Sequence, residues 1–133
     1  KPGYLTWTEI LHLQELGFHF QGHTWTHRPL TNVPDHEWNH ELRDSRKDLS
    51  LQLGYSVDSL CFPCGYFSPA VVQAAFSAGY RYLFASYPGC VDISDPILPR
   101  NLVQFSSVSE FKNILHGALC PLKGHYLKQH LKS

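Results

Sequence analysis

The first apolar stripe of the chain, Leu11, Leu13 and Leu16, lies between Thr6 and Gly17. Glu9 follows Thr6 by three residues, the signature of a capping box, and Gly17 supplies a stop, so the spacing predicts a helix. Residues 18–22 alternate apolar and polar, the period of a strand. Residues 29–34 read as a loop. Asp35 caps a polar helix that runs to about Leu53 and ends at Gly54, with Leu42, Leu49 and Leu53, joined by Trp38, as its stripe. Residues 57–62 read as a second strand and 63–67 as a turn. Ser68, with Pro69 at the first helical position, opens a helix carrying Val71, Val72, Ala75 and Phe76 and ending at Gly79. A third strand is expected at 80–85, a long loop at 86–99 and a fourth strand at 101–105. Ser109 is the expected cap of a last helix through Phe111, Ile114 and Leu115, and the residues after Cys120 are basic and irregular.

Helices alternating with strands predict an α/β fold with a mostly parallel sheet. Chemistry in such folds sits in the loops at the carboxyl ends of the strands. His23 and His27, the 62–67 segment and the loop from Ser86 onward all fall at such ends.

Composition narrows the field. With 133 residues the chain is one domain or a large piece of one, and 43% apolar content is enough for a real core. Eleven basic residues balance eleven acidic ones, which argues against nucleic acid or an anionic membrane as partner. No apolar run approaches the ~20 residues of a spanning helix, and no signal peptide is visible. Methionine is absent and the chain starts Lys1-Pro-Gly, which suggests a processed product or an excised fragment. Four cysteines are too few for a disulfide scaffold at this length and leave the compartment undecided.

Three patterns carry candidate chemistry. In Gly22-His23-Thr-Trp-Thr-His27-Arg-Pro two imidazoles stand four positions apart after a strand, and a helical turn there would put both on one side to share a divalent ion. Two ordinary loop histidines are the alternative, in a chain with nine histidines. His36-Glu-Trp-Asn-His40 matches the zinc-peptidase pattern H-E-x-x-H, but it sits in a first helical turn and is followed by charged Glu41, which reads as a solvated face. Cys61-Phe-Pro-Cys64 has thioredoxin-like spacing between a strand and a helix, yet Gly65-Tyr-Phe-Ser68 separates Cys64 from the helix start and removes its dipole activation.

Taken in order, these residues resemble the NodB-like polysaccharide deacetylases, carbohydrate esterase family 4. The segment from Leu5 to Gly17 is similar to the helix before that family's second motif. His23-Thr-Trp-Thr-His27-Arg-Pro-Leu30 resembles the second motif itself, H-[ST]-x-x-H with its usual continuation. Glu41-Leu42, Ser45, Leu49 and Gly54 follow the next helix in order, and Ala74-Ala75 with Ala78-Gly79-Tyr80 fit a later segment. Phe62-Pro63-Cys64-Gly65 resembles the third motif in the form used by the subgroup that deacetylates poly-N-acetylglucosamine, and Asp95-Pro-Ile-Leu-Pro-Arg100 resembles that subgroup's late arginine motif. The similarity spans residues 5–115.

The resemblance implies a distorted (β/α) barrel and a divalent metal, usually zinc, held by two histidines and an aspartate. Carried over here, the histidines are His23 and His27. It implies a hydrolase of carbon–nitrogen, non-peptide bonds that releases acetate from an acetylated polysaccharide, an N-acetylglucosamine polymer. The loop of Pro63, Cys64, Gly65 and Tyr66 would contact substrate and supply an oxyanion N–H, Arg100 would orient a catalytic acid, and His116, in Leu115-His116, is the candidate general acid. The family's first motif, Thr-Phe-Asp-Asp-Gly, which supplies the general base and the aspartate ligand, is not in this sequence. The chain therefore reads as the C-terminal two-thirds of a deacetylase domain, 1–133 as one domain forming a partial barrel. The alternative is a non-catalytic carbohydrate-binding relic or a barrel-completing partner, because an unclosed barrel leaves strand edges open to another copy or to a completing N-terminal segment. Trp25, Tyr66 and Phe67 could stack on sugar rings. Family analogy favours a secreted or cell-envelope location.

Overall fold

Thr6 starts the first helix as expected. In the computed structural model, which describes residues 3–92, 94–103 and 107–120, the Thr6 hydroxyl accepts the Glu9 N–H and the Glu9 carboxylate accepts the Thr6 N–H. Helix α1 covers Trp7–Glu15 and has no fully buried residue. Ile10 packs against the core, and the Gln14 amide donates to the Leu53 carbonyl at 3.1 Å. Leu11, Leu16 and the following Phe18 remain exposed.

The stretch from Asp35 to Leu53 is helical throughout but not one regular helix. A 3-10 turn at Asp35–Glu37 passes into a π-helical turn at Asn39–Asp44 and then into α2, Ser45–Leu53. Gly54 ends it in the left-handed conformation, φ 74°. Leu42 and Leu53 are buried, with Leu49 and Trp38 packed against the same core.

Three short strands form a parallel sheet in the order β1 (Ser59–Cys61), β2 (Tyr82–Ala85), β3 (Leu98–Pro99). Gly22 adds a parallel bridge to Leu60 on the far side of β1. The strand expected at 18–22 is reduced to this bridge, and side chains occupy backbone groups both of the segment and of the chain beside it. The Tyr55 hydroxyl takes both the N–H and the carbonyl of Phe20, and the Gln21 amide oxygen takes the N–H groups of Asp58 and Ser59. The fourth strand forms at Leu98–Pro99, and residues 101–103 of the expected 101–105 are not in a strand. Asn101 instead brackets the Gly89 backbone with two side-chain hydrogen bonds, and residues 104 and 105 lie outside the described ones.

Helix α3, Pro69–Ser77, is capped by Ser68, which accepts the Val71 N–H, and it buries Val71 and Ala75. Helix α4, Val108–Leu115, starts from Ser107 rather than Ser109, since Glu110 stands three residues after Ser107 and closes a reciprocal capping box with it. Strand residues alternate between faces. Leu60, Leu83 and Ala85 join Val57, Phe62, Val71 and Tyr87 in the core, whereas Ser59, Cys61, Tyr82 and Phe84 lie on the less covered face. Covering each such leucine contributes roughly 1.5–3 kcal/mol. Cys90 and Cys120 form a disulfide that ties the loop after β2 to the end of α4, a pairing the sequence reading did not anticipate. Among the described residues no helix is long and apolar enough to cross a membrane.

Candidate functional site

Each parallel segment delivers polar groups directly after its carboxyl end. His23 follows Gly22, the Pro63–Gly65 turn follows β1, Ser86 follows β2 and Arg100 follows β3. Parallel pairing places these four ends on one rim.

Gly22 is where two chain segments come closest. Its N–H donates to the Ser59 carbonyl at 2.9 Å and its own carbonyl accepts the Cys61 N–H at 3.0 Å. A Cβ there would stand 2.7 Å from the Tyr80 hydroxyl, so only glycine fits without displacement. The next residue, His23, places Nδ1 2.6 Å from the Cys61 carbonyl. A carbonyl only accepts, so Nδ1 carries the proton and the Nε2 lone pair is left for a ligand role. Burial holds the His23 imidazole below its ordinary value. The Cys61 hydrogen bond opposes this, while the charges of His27 and Arg100 add to it. At pH 7 the ring is therefore neutral, the form that binds metal.

The His27 ring lies 4.7 Å from that of His23, centroid to centroid, with the planes at 63°. The rings converge, but not through the helical turn anticipated from their spacing. Thr24 and His27 both adopt the left-handed conformation, φ 67° and 63°, and the Thr24 hydroxyl accepts the His27 N–H at 3.2 Å. Non-glycine residues in that region cost roughly 1–2 kcal/mol each and persist where surroundings over-determine them.

Those surroundings centre on Glu41. Its carboxylate is fully buried, which corrects the reading of this residue as part of a solvated face. One oxygen accepts the N–H groups of Trp25 and Thr26 at 3.0 and 2.9 Å, and the other accepts the Thr26 hydroxyl at 2.5 Å and Arg28 Nη2 at 3.1 Å. The sequence signal for it was its place in the helix following the histidine motif.

The turn after β1 is also left-handed, with φ of 56° at Cys64 and 74° at Gly65. The N–H groups of Gly65 and Tyr66 close it on the Phe62 and Pro63 carbonyls. Any Cβ at Gly65 would meet the Ser86 N at 2.6 Å. Pro63 is buried, while Cys64 and Tyr66 are exposed, and Phe67 packs in the core against Phe62 and Tyr87 rather than on the rim. The Arg100 N–H donates to the Ala85 carbonyl at 3.1 Å and its Nη2 to the Ser86 hydroxyl at 2.6 Å. A cleft of about 450 Å³ is lined by Gln21, Gly22, His23, Ser59, Cys61, Phe84 and Arg100. Arg100 also borders a second cleft of about 580 Å³ with Ser86, Asn101 and Leu119.

Other sequence candidates fall elsewhere. His116 ends α4 with its N–H on the Lys112 carbonyl, its ring exposed and outside both clefts. In the H-E-x-x-H match, Glu37 pairs with Arg28, while His40 pairs with Asp44 and tilts against Trp25 at 4.7 Å. Cys61 and Cys64 are free thiols, and burial pushes the Cys61 thiol up although Arg100 opposes it, so it is not a nucleophile at neutral pH.

The two imidazoles, one with a fixed tautomer, fit two positions of a nitrogen-ligated divalent site. Among the described residues no group of three or more histidines, cysteines, aspartates or glutamates is placed to hold an ion, so this pair would need an outside ligand.

Comparisons with known proteins bear on the fold and the family. The polysaccharide deacetylase family profile matches residues 4–83. A polysaccharide deacetylase from Bacillus cereus superposes with a TM-score of 0.78 at 23% identity, over 86% of this chain and 37% of that one. The Streptococcus pyogenes deacetylase PplD, in complex with acetate, gives 0.77 at 21%, over 86% and 52%. A de-N-acetylase from Aggregatibacter actinomycetemcomitans gives 0.70 at 18%, over 84% and 53%. These are likenesses of fold, and this chain spans 37% to 53% of the length of those three structures. No curated protein sequence matches significantly. The profile covers more than half of the chain, including the histidine loop, β1, the turn after it and α3. On that match, the chain belongs to the polysaccharide deacetylase family.

Proposed function

We propose that this chain is the histidine-bearing C-terminal part of a metal-dependent polysaccharide N-deacetylase domain, with zinc as its ion and an N-acetylglucosamine polymer as its substrate. The observation that carries the reading is the His23–His27 pair, 4.7 Å apart on the strand-end rim, with His23 fixed as a ligand-competent tautomer. The net reaction adds water across the acetamide, breaking its C–N bond and releasing acetate and a free amine.

His23 and His27 would hold the ion together with a carboxylate from outside these residues. The bound ion supplies Lewis acidity and lowers the pKa of water towards ~7. Substrate would lie along the cleft between His23 and Arg100. Cys64 sits in the left-handed turn, and the N–H groups of its neighbours Gly65 and Tyr66 are engaged within that turn. Its own N–H is the candidate donor to the acetamide oxygen as charge develops there. A backbone donor does not depend on the side chain, so cysteine is tolerated at this position. Arg100, anchored through Ser86, would orient a carboxylate at the other wall. The substrate and the Cys90–Cys120 disulfide both favour an exported location.

Zinc titration of the chain and its variants tests the reading. H23A and H27A should each abolish zinc binding, and H36A should retain it. With the carboxylate-bearing segment supplied, the chain should release acetate from N-acetylglucosamine oligomers, and a chelator should stop the release. Loss of zinc in H36A alone, or acetate release by an H23A/H27A double variant, would overturn it.

A further inference from the structure

The geometry points to Glu41 as the positioning residue that sets the His23–His27 separation, and hence the affinity of the pair for zinc. This inference rests on the reading of those histidines as ligands but adds a residue that touches neither.

Three observations converge on it. First, the loop between the histidines is held in a conformation its own residues disfavour, with Thr24 and His27 left-handed. Local contacts within the loop are few: the Thr24 hydroxyl on the His27 N–H, and Arg28 Nε on the Thr26 hydroxyl. Second, a single carboxylate from another element collects three donors from that loop and a fourth from Arg28 just after it. They are the consecutive N–H groups of Trp25 and Thr26, the Thr26 hydroxyl and the Arg28 guanidinium. Two adjacent amides on one oxygen fix the peptide planes on either side of Trp25, and the second oxygen fixes the side chains of Thr26 and Arg28. Third, Glu41 is delivered from a π-helical turn, Asn39–Asp44, and is fully shielded from solvent. Such turns are rare and concentrate at functional sites. A buried carboxylate is retained only where its acceptors are filled.

The neutral isostere cannot replace it. Glutamine offers one acceptor oxygen, and its NH₂ would face either the two amides or the guanidinium, donor against donor, with only the Thr26 hydroxyl able to turn and accept. The loop would then relax towards ordinary φ values and separate the rings. Groups that orient metal ligands typically contribute 10–100-fold in affinity. Glu37 also meets Arg28, at 2.5 Å, but is half-exposed and touches no loop amide, which makes it the control.

The test uses the labelled full chain in two measurements. In zinc-free protein, the nuclear Overhauser effect between the His23 and His27 ring protons reports their proximity. Zinc titration reports affinity. E41Q should lose the ring contact and lower zinc affinity on the order of 10–100-fold, with the Leu60–Leu83 sheet contacts preserved. E37Q should stay within about 2-fold of the parent on both measures. If E41Q fails to fold, T26V decides. It removes one donor from the carboxylate and should lower affinity about 3- to 10-fold. A folded E41Q with the ring contact and affinity intact overturns the inference, as does an unchanged T26V or a parent chain without the ring contact. Loss of the contact in E41Q, in a chain that binds no zinc, upholds the positioning role and removes the metal reading instead.

Discussion

The His23 ring is bonded to the backbone of Cys61, Nδ1–H to carbonyl at 2.6 Å, while the Cys61 N–H reaches back to the Gly22 carbonyl at 3.0 Å. One residue of β1 thus grips both the backbone and the side chain of the segment that carries the first histidine. The ring cannot rotate or change tautomer without breaking a bond to the sheet. Sheet and site are coupled at this point, and substitutions in the core beneath it act on both.

Gly22→Ala tests the closeness of that packing. The added Cβ would stand 2.7 Å from the Tyr80 hydroxyl and 2.8 Å from its ring, and Tyr80 is itself held by burial and by its hydroxyl on the Leu42 carbonyl. Overpacking of this kind typically costs about 1–3 kcal/mol. Adding Tyr80→Phe removes the hydroxyl and should recover part of the loss, so the double variant is less destabilised than the two changes added together. Urea unfolding of the four proteins measures this. Strict additivity would mean that the two residues do not meet.

What the sequence shows of this fold is its local chemistry. Thr6 with Glu9, Ser68 with Pro69, and Gly54 each mark a helix end through atoms within a few residues, and each end forms there. The parallel sheet and its rim follow from the alternation of elements. Other features depend on distant partners. Left-handed Thr24 and His27 have no signature in residue type, because contacts from a later helical turn hold that conformation. Glu41 reads as a surface charge until its four donors are known. Residues 18–22 alternate like a strand, but Tyr55 and Gln21 divert the hydrogen bonds that a strand would use. The Cys90–Cys120 link spans 30 positions, a separation that carries no spacing signal.

That disulfide yields a prediction of its own. It closes the loop containing β3, Arg100 and α4, and a loop of about 30 residues is associated with roughly 3–4 kcal/mol of stabilisation in the chain-entropy description. C90S/C120S should lower unfolding stability by up to about that amount and speed amide exchange in α4 more than in β1 and β2. Helix α4 buries no residue completely, so the crosslink is a main tether for it. Exchange that is equally slow in α4 with and without the disulfide would contradict this.

Acid should loosen the histidine loop through Glu41. Burial alone would raise its carboxyl pKa, but the hydrogen bonds from Thr26, Arg28 and Trp25 outweigh burial and hold it below the ordinary value of 4.5. A carboxyl whose folded value is depressed contributes stability that is fully present above its unfolded value. The contribution is lost as pH falls through the folded one. Thermal stability should therefore hold from neutrality down to about pH 4.5 as far as this group is concerned, and decline below it. E41Q should be less stable at pH 7 and show a flatter decline in acid. Parallel acid profiles for the two proteins would remove Glu41 from the account.

Arg100 should be visible in the titration of His23. Burial is the main reason the imidazole stays below 6.5. The Cys61 hydrogen bond pulls the other way, and the positive charges of His27 and Arg100 lower it further. Replacing Arg100 by methionine keeps much of the side chain's length but removes the charge, so the His23 midpoint should rise. Lysine keeps the charge but loses the planar fork that reaches Ser86, so R100K should titrate like the parent even where its Ser86 contact is lost. Added salt should narrow the gap between the parent and R100M, because the exposed guanidinium acts partly through screened solvent. Proton NMR of the His23 Hε1 signal across pH 4–8, about the ordinary imidazole range, distinguishes the parent and the two variants. A midpoint that does not move in R100M would place the arginine too far from the ring to share a cleft with it.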